Sequence, residues 1–168
     1  MTILIDDAGT GDILFGVVIG AYRPETDHFV YDIIDVKYFQ EPVYDKKRHL
    51  NEARRIALRL VDRLGLGEAE KILICTGDIL NEAAEALIER YGDERVERGK
   101  IEDRAQELVE QAFLDELSNI GYEAREDRTE HWAKNFWHMY NWVKKDPEHR
   151  LQWTKSAYPN LKKYPLFR

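Results

Sequence analysis

A single cysteine, Cys75, is all that 168 residues provide. No internal disulfide can form, and a zinc site built on cysteines is excluded. Cys75 ends the apolar run Ile72-Leu73-Ile74-Cys75, where the expected role is that of a small buried thiol. Long apolar runs are missing as well. Stretches such as Ile13 to Ile19 fall far short of the ~20 residues that a membrane helix needs. The chain runs at once into Ile3-Leu4-Ile5 and two aspartates. It has no basic start, extended apolar segment or small-residue cleavage site of a secretory signal. A soluble, cytoplasmic protein is expected. The phosphate loops GxxxxGK[ST] and GxGxxG are absent, as are internal repeats, low-complexity tracts and linkers.

What is present fits one globular domain. Hydrophobic residues make up 43% and charged residues 34%, a composition neither disordered nor membranous. The length suffices for a real core. The net charge of -7 is unevenly spread. Residues 131–168 hold eight Lys/Arg against two Asp/Glu, or +6, and all four tryptophans. Residues 1–130 hold 17 against 30, or -13. An acidic body argues against a surface that grips nucleic acid everywhere, while the basic aromatic end leaves room for a local contact.

Periodicity gives the elements. Thr2 to Asp6 reads as an apolar strand stopped by Gly9 and Gly11. Residues 12–23 and 28–39 read as two strands joined by the turn Pro24 to Asp27. The spacing of Leu50, Ala53, Ile56, Ala57, Leu60, Val61 and Leu64 predicts a helix over about 46–64, ended by Gly65. A short strand follows at Lys71 to Cys75, then a helix from Asn81 to Arg90. Another helix spans about 101–120, an edge strand is expected at 122–126, and an aromatic helix runs from Thr129 to Lys145. Residues 1–145 are thus expected to form one α/β domain. Residues 146–168 are expected to be an irregular basic extension packed on it, a possible contact for a second copy or a protein partner.

This order predicts a mixed five-stranded sheet flanked by helices. Three strands form an antiparallel meander, and the first and fourth lie parallel through a right-handed crossover. Ligand sites in such sheets favour the carboxyl ends of the parallel strands. There Asp6 and Asp7 end the first strand, and Asp78 follows the fourth. Crowded carboxylates repel, so they call for a cation or a proton. Mg²⁺ and Mn²⁺ are hard ions suited to such donors, and could serve hydrolysis of a phosphodiester. In a regular strand Asp6 and Asp7 would face opposite sides; the glycines after them can twist the end to bring both to one site. Aspartate is also common at strand ends for turn-forming reasons alone.

Ile5-Asp6-Asp7-Ala8-Gly9-Thr10-Gly11 resembles the type II ribonuclease H signature: isoleucine, aspartate, glutamate, alanine, glycine, any residue, glycine. The order of elements resembles the ribonuclease H-like superfamily over roughly 1–145. The resemblance implies a mixed sheet, Mg²⁺ or Mn²⁺ at Asp6, Asp7 and Asp78, and backbone contacts from Gly9, Thr10 and Gly11 to a ribose. It implies a nuclease acting on an RNA/DNA hybrid or structured nucleic acid, or else a non-catalytic relative that binds nucleic acid or protein. The motif is also similar to the first strand of Holliday-junction resolvases and to the phosphate loop of sugar and acetate kinases, which need two such domains. Three departures stand: Asp7 replaces a glutamate, the proline and glycine pattern after the motif is missing, and the later lysine-valine-threonine-arginine-aspartate motif has no match.

A fourth acidic ligand is expected near the last helix, from Asp127 or Glu130, with His131 as a proton carrier. The same acids also suit a helix N-terminus. Glu52, the helix carboxylate of a type I arrangement, lies off the apolar stripe of its helix. Trp132, Phe136, Trp137, Tyr140 and Trp142, with Lys134, Lys144 and Lys145 among them, read either as a helix packed on the sheet or as a base-stacking surface.

Overall fold

A computed structural model describes all residues, 1–168. The strands are β1 (Thr2–Ala8), β2 (Val17–Arg23), β3 (His28–Ile34), β4 (Lys71–Ile74) and β5 (Val96–Arg98). The helices are α1 (Arg48–Leu64), α2 (Asn81–Tyr91), α3 (Asp103–Asn119), α4 (Trp132–Lys145) and the single turn α5 (Pro147–Arg150). The sheet order is β3-β2-β1-β4-β5. The pairs β1–β2 and β2–β3 are antiparallel, and β1–β4 and β4–β5 are parallel. The expected α/β architecture is the one observed.

Strand alternation divides the core into two layers, because successive side chains point to opposite faces. Ile3 and Ile5 of β1 join Ile19 of β2, Ile72 and Ile74 of β4, and the apolar stripes of α1 and α2. On the other face Ala8 and Val18 meet Val109, Ala112 and Phe113 of α3 and Phe136, Met139 and Val143 of α4. Gly20 sits where α3 crosses close to the sheet: a Cβ there would stand 2.6 Å from both Phe29 and Val109. No helix is long and apolar enough to cross a membrane.

Three boundaries differ from expectation. Residues 122–126 form no strand, and the fifth strand is Val96–Arg98. Tyr122 is buried against the α4 layer instead, with its ring edge-on to Trp142. The third strand ends at Ile34 and gives way to a 3₁₀ turn at Val36–Phe39, capped by the Asp35 carboxylate accepting from the Lys37 amide at 2.8 Å. The second strand begins at Val17, since residues 9–16 form a loop that crosses the sheet end.

That loop is held by the C-terminal segment. The Phe15 amide donates to the Trp153 carbonyl and the Lys155 amide to the Ile13 carbonyl. Leu161 and Phe167 are buried in the α3–α4 layer. Residues 146–168 thus close over the end of the sheet where the acidic motif lies.

Candidate metal and nucleic-acid site

Parallel pairing of Ile5 with Ile74 puts Asp6, near the carboxyl end of β1, beside Cys75, the residue after β4. The Cys75 amide donates to the Ile5 carbonyl at 2.9 Å, so Cys75 stands beside Asp6. One ligand atom each from Asp6, Asp7 and Cys75 lie within 4.8 Å of one another. Two donors on one ion stand no further apart than about twice a bond length of 2.0–2.4 Å, so this spacing admits a single cation.

Local geometry brings the two aspartates together. The Asp7 amide donates to Asp6 Oδ1 at 2.9 Å, and Thr10 Oγ1 donates to Asp7 Oδ2 at 2.6 Å. Gly9 makes the turn with φ +96°, in the region where only glycine sits without strain. A Cβ on it would lie 2.3 Å from the Phe113 ring. Gly11 faces open space, leaving its backbone accessible to a ligand.

Burial pushes the Asp6 carboxyl above its usual range, against the Asp7 amide and Cys75, which lower it. Burial also raises Asp7, where the Thr10 hydroxyl opposes the rise and the Asp6 charge adds to it. The Cys75 thiol is raised by burial, with both carboxylates contributing. Burial leads all three shifts: it disfavours the negative charge of these groups, a cost that a bound cation would offset.

The other expected residues are placed differently. Asp78 is exposed at the start of the 3₁₀ turn Asp78–Leu80, whose other two residues are buried, and it lies outside the group formed by Asp6, Asp7 and Cys75. The chain turns at Gly77, whose added Cβ would stand 3.3 Å from Asp7 Oδ1. Asp127 is engaged by Arg125 through two hydrogen bonds at 2.7 and 2.9 Å, and Arg125 holds its carboxyl below the usual range. Glu130 is exposed and does not line the cleft. His131 Nε2 stands 3.9 Å from Asp127. Glu52 pairs with Arg55 on α1.

A cavity of about 300 Å³ lies beside the motif, walled by Asp7 to Asp12, Glu110, Arg128, Thr129, Trp132 and Asn135. Four of these are new to the site. Asp12 accepts from Arg128 Nη2 at 2.8 Å and Asn135 Nδ2 at 2.6 Å, and Arg128 Nη1 reaches Glu110 at 2.6 Å. Glu110 is raised by burial despite Arg128, with Asp12, Asp6 and Asp7 adding to the rise. Beneath the loop, Lys155 is fully buried and donates to the Gly9, Asp12 and Leu14 carbonyls at 2.9, 2.6 and 3.3 Å. The only sequence signals for this arrangement are a third acid in the loop and an excess of cations in the last forty residues or so.

Comparison with solved structures gives two matches. A glutamine-to-alanine variant of Bst-RNase HIII superposes with TM-score 0.56 at 16% identity, covering 96% of this chain and 68% of that one. The fold is ribonuclease H-like. Bst-RNase HIII in complex with Mn²⁺ superposes with TM-score 0.54 at 17% identity over the same shares. No family model matches the sequence, and no curated protein does. In this ribonuclease H-like sheet the cluster of Asp6, Asp7 and Cys75 occupies the carboxyl ends of the two central parallel strands, where α/β sheets place their ligands.

Proposed function

We propose that this protein is a divalent-metal-dependent phosphodiester hydrolase acting on an RNA/DNA hybrid or structured nucleic acid. The observation that carries the reading is the meeting of Asp6, Asp7 and Cys75 at the end of β1 and β4. The Mn²⁺ complex of a structurally similar RNase HIII supports it. Asp6 and Asp7 would hold the cation, with Cys75 as a third donor. Two carboxylates and a thiol suit Mn²⁺ better than Mg²⁺, which prefers an all-oxygen octahedron. A cation there supplies positive charge to a phosphodiester whose oxygens gain negative charge during displacement. In this proposal residues 1–145 are the domain and residues 146–168 the extension that completes its site.

The chain's own residues do the positioning. Thr10 fixes the Asp7 carboxylate by its hydroxyl. Arg128 and Asn135 hold Asp12, and Lys155 holds the carbonyls behind it. The loop carbonyls are therefore anchored from behind, and open Gly11 lets a sugar-phosphate backbone approach closely.

One observation favours a second reading, a non-catalytic ribonuclease H-like binding module. Only two carboxylates enter the cluster, and Glu110, the next acid, is paired with Arg128. The experiment that separates the two is incubation of wild type and Asp6→Asn with a labelled RNA/DNA hybrid and a branched DNA, with Mn²⁺ and with chelator. Cleavage by wild type in Mn²⁺ alone supports the hydrolase. Binding without cleavage by either protein supports the module.

A further inference from the structure

Trp132 begins α4 and is 68% exposed, while Phe136, Met139, Tyr140 and Val143 of the same helix are buried. The ring is not loose. It stacks on Phe136 with centroids 6.0 Å apart and planes 25° from parallel, and Phe136 stacks in turn on Tyr140 at 6.0 Å and 23°. An aromatic column thus supports one side of the indole and leaves the other to solvent.

Two cavities meet at this ring. One is the cleft along the glycine loop. The other, of about 280 Å³, is walled chiefly by Ile13, Phe136, Tyr158, Leu161, Lys163 and Tyr164. They share Thr10, Gly11, Asp12 and Trp132, so they form one groove leading away from Asp7. Its character changes along its length, from carboxylates near Asp7 to rings and a cation at Lys163. Lys134 and Lys162 are exposed on the same two segments, and residues 131–168 carry +6 in an otherwise acidic molecule. Among the residues that line the half beside Asp7, Arg128 Nε and Asn135 Oδ1 are buried without a hydrogen-bond partner within the protein.

We propose that this groove binds a single strand of nucleic acid, with an unpaired base stacked on the outer face of Trp132 and phosphates directed to Lys163. The direction of the strand rests on the hydrolase reading, which sets the reacting end at Asp7; the binding itself needs no metal. An exposed ring face with a lysine further along the groove fits a polyanion that carries flat bases, whereas an acidic peptide offers charge without a flat partner for the indole. A paired duplex base has no free face to give.

The test is fluorescence anisotropy in chelator with labelled twelve-nucleotide oligothymidylate and oligouridylate, each variant checked for an unchanged melting temperature. Stacking on one aromatic is worth ~1–3 kcal/mol per base, or roughly 5- to 150-fold in affinity. Trp132→Ala should weaken binding by about tenfold or more, and Trp132→Phe should keep most of it. Lys163→Glu should weaken binding and lower its salt dependence by about one phosphate. Ile88→Ala should change nothing, since Ile88 is exposed on α2 and lies outside the groove. Equal binding by wild type and Trp132→Ala would overturn the proposal. So would capture of an acidic peptide in place of either oligonucleotide. Trp132-dependent binding with no Mn²⁺-dependent cleavage would leave the groove standing and remove the hydrolase; cleavage with an unchanged KM in Trp132→Ala would do the reverse.

Discussion

Replacing Lys155 by methionine isolates what the C-terminal segment does for the acidic loop. The side chain is fully buried, and its Nζ donates to the Gly9, Asp12 and Leu14 carbonyls, of which only the Gly9 carbonyl also accepts from a backbone amide, that of Asp12. Methionine keeps the volume and removes the donor. An orphaned buried acceptor costs ~1–3 kcal/mol. Two of them, partly offset by no longer burying an ammonium, give an expected loss of about 2–4 kcal/mol at pH 7. The pH dependence is sharper evidence. Burial pushes Lys155 down to about 7 from an ordinary 10.5, the Asp12 charge opposing and Arg128 adding. Between these values the unfolded chain holds a proton that the folded protein has released, so stability from this residue rises with pH. Each full proton of difference is worth ~1.4 kcal/mol per pH unit. From pH 7, where the folded group is half titrated, to pH 9, wild type should gain about 2 kcal/mol over Lys155→Met. Urea unfolding of both proteins at pH 7, 8 and 9 reads this difference, with other titrations cancelling. A constant gap would mean that the buried ammonium keeps its proton throughout. Equal stability of the two proteins would mean that the loop does not depend on Lys155.

Three further outcomes follow from the same geometry. Glu70→Ala leaves Arg23 buried without its partner, now 2.6 Å away with both side chains at most 10% exposed, and should cost ~3–5 kcal/mol in denaturant unfolding. Because Asp6 and Asp7 are raised, protons compete with a cation over a higher pH range than at ordinary carboxylates; Mn²⁺ affinity measured by calorimetry should fall from pH 7 to pH 5, and a flat profile would contradict the shifts. Cys75→Asp places a third carboxylate at the same register. It should narrow any preference for Mn²⁺ over Mg²⁺ by about tenfold, read from competitive titration; an unchanged ratio would exclude Cys75 as a donor.

Much of the fold can be read directly from spacing. The apolar stripe of α1 keeps its three-and-four period for four turns, and β1 and β4 are short apolar runs bounded by turn residues. The fifth strand is different: Val96–Arg98 is three residues with one buried position, too short for alternation to register. Tyr122 to Glu126 shows a strand-like start, but the ring of Tyr122 is buried against α4, and no sheet edge receives its backbone. At the site, Asp6 and Asp7 are visible because a doubled acid at a strand end followed by two glycines is an unusual pattern. Cys75 is hidden by its apolar neighbours, since only the register of β1 against β4 sets it beside Asp6. Asp78 lies one turn further along the chain, past the bend at Gly77. Lys155 and Arg128 reach the loop across more than 110 residues of chain, a pairing that no local window contains.

Asp6 and Asp7, in the proposed function, hold a divalent cation at the acidic strand end through their own carboxylates. Calorimetric titration of Mn²⁺ into wild type and Asp6→Asn at pH 7, with matched melting temperatures, tests it directly. Saturable binding by wild type that weakens at least about tenfold in Asp6→Asn is the predicted result. No saturable binding by wild type, or equal binding by both, would contradict it.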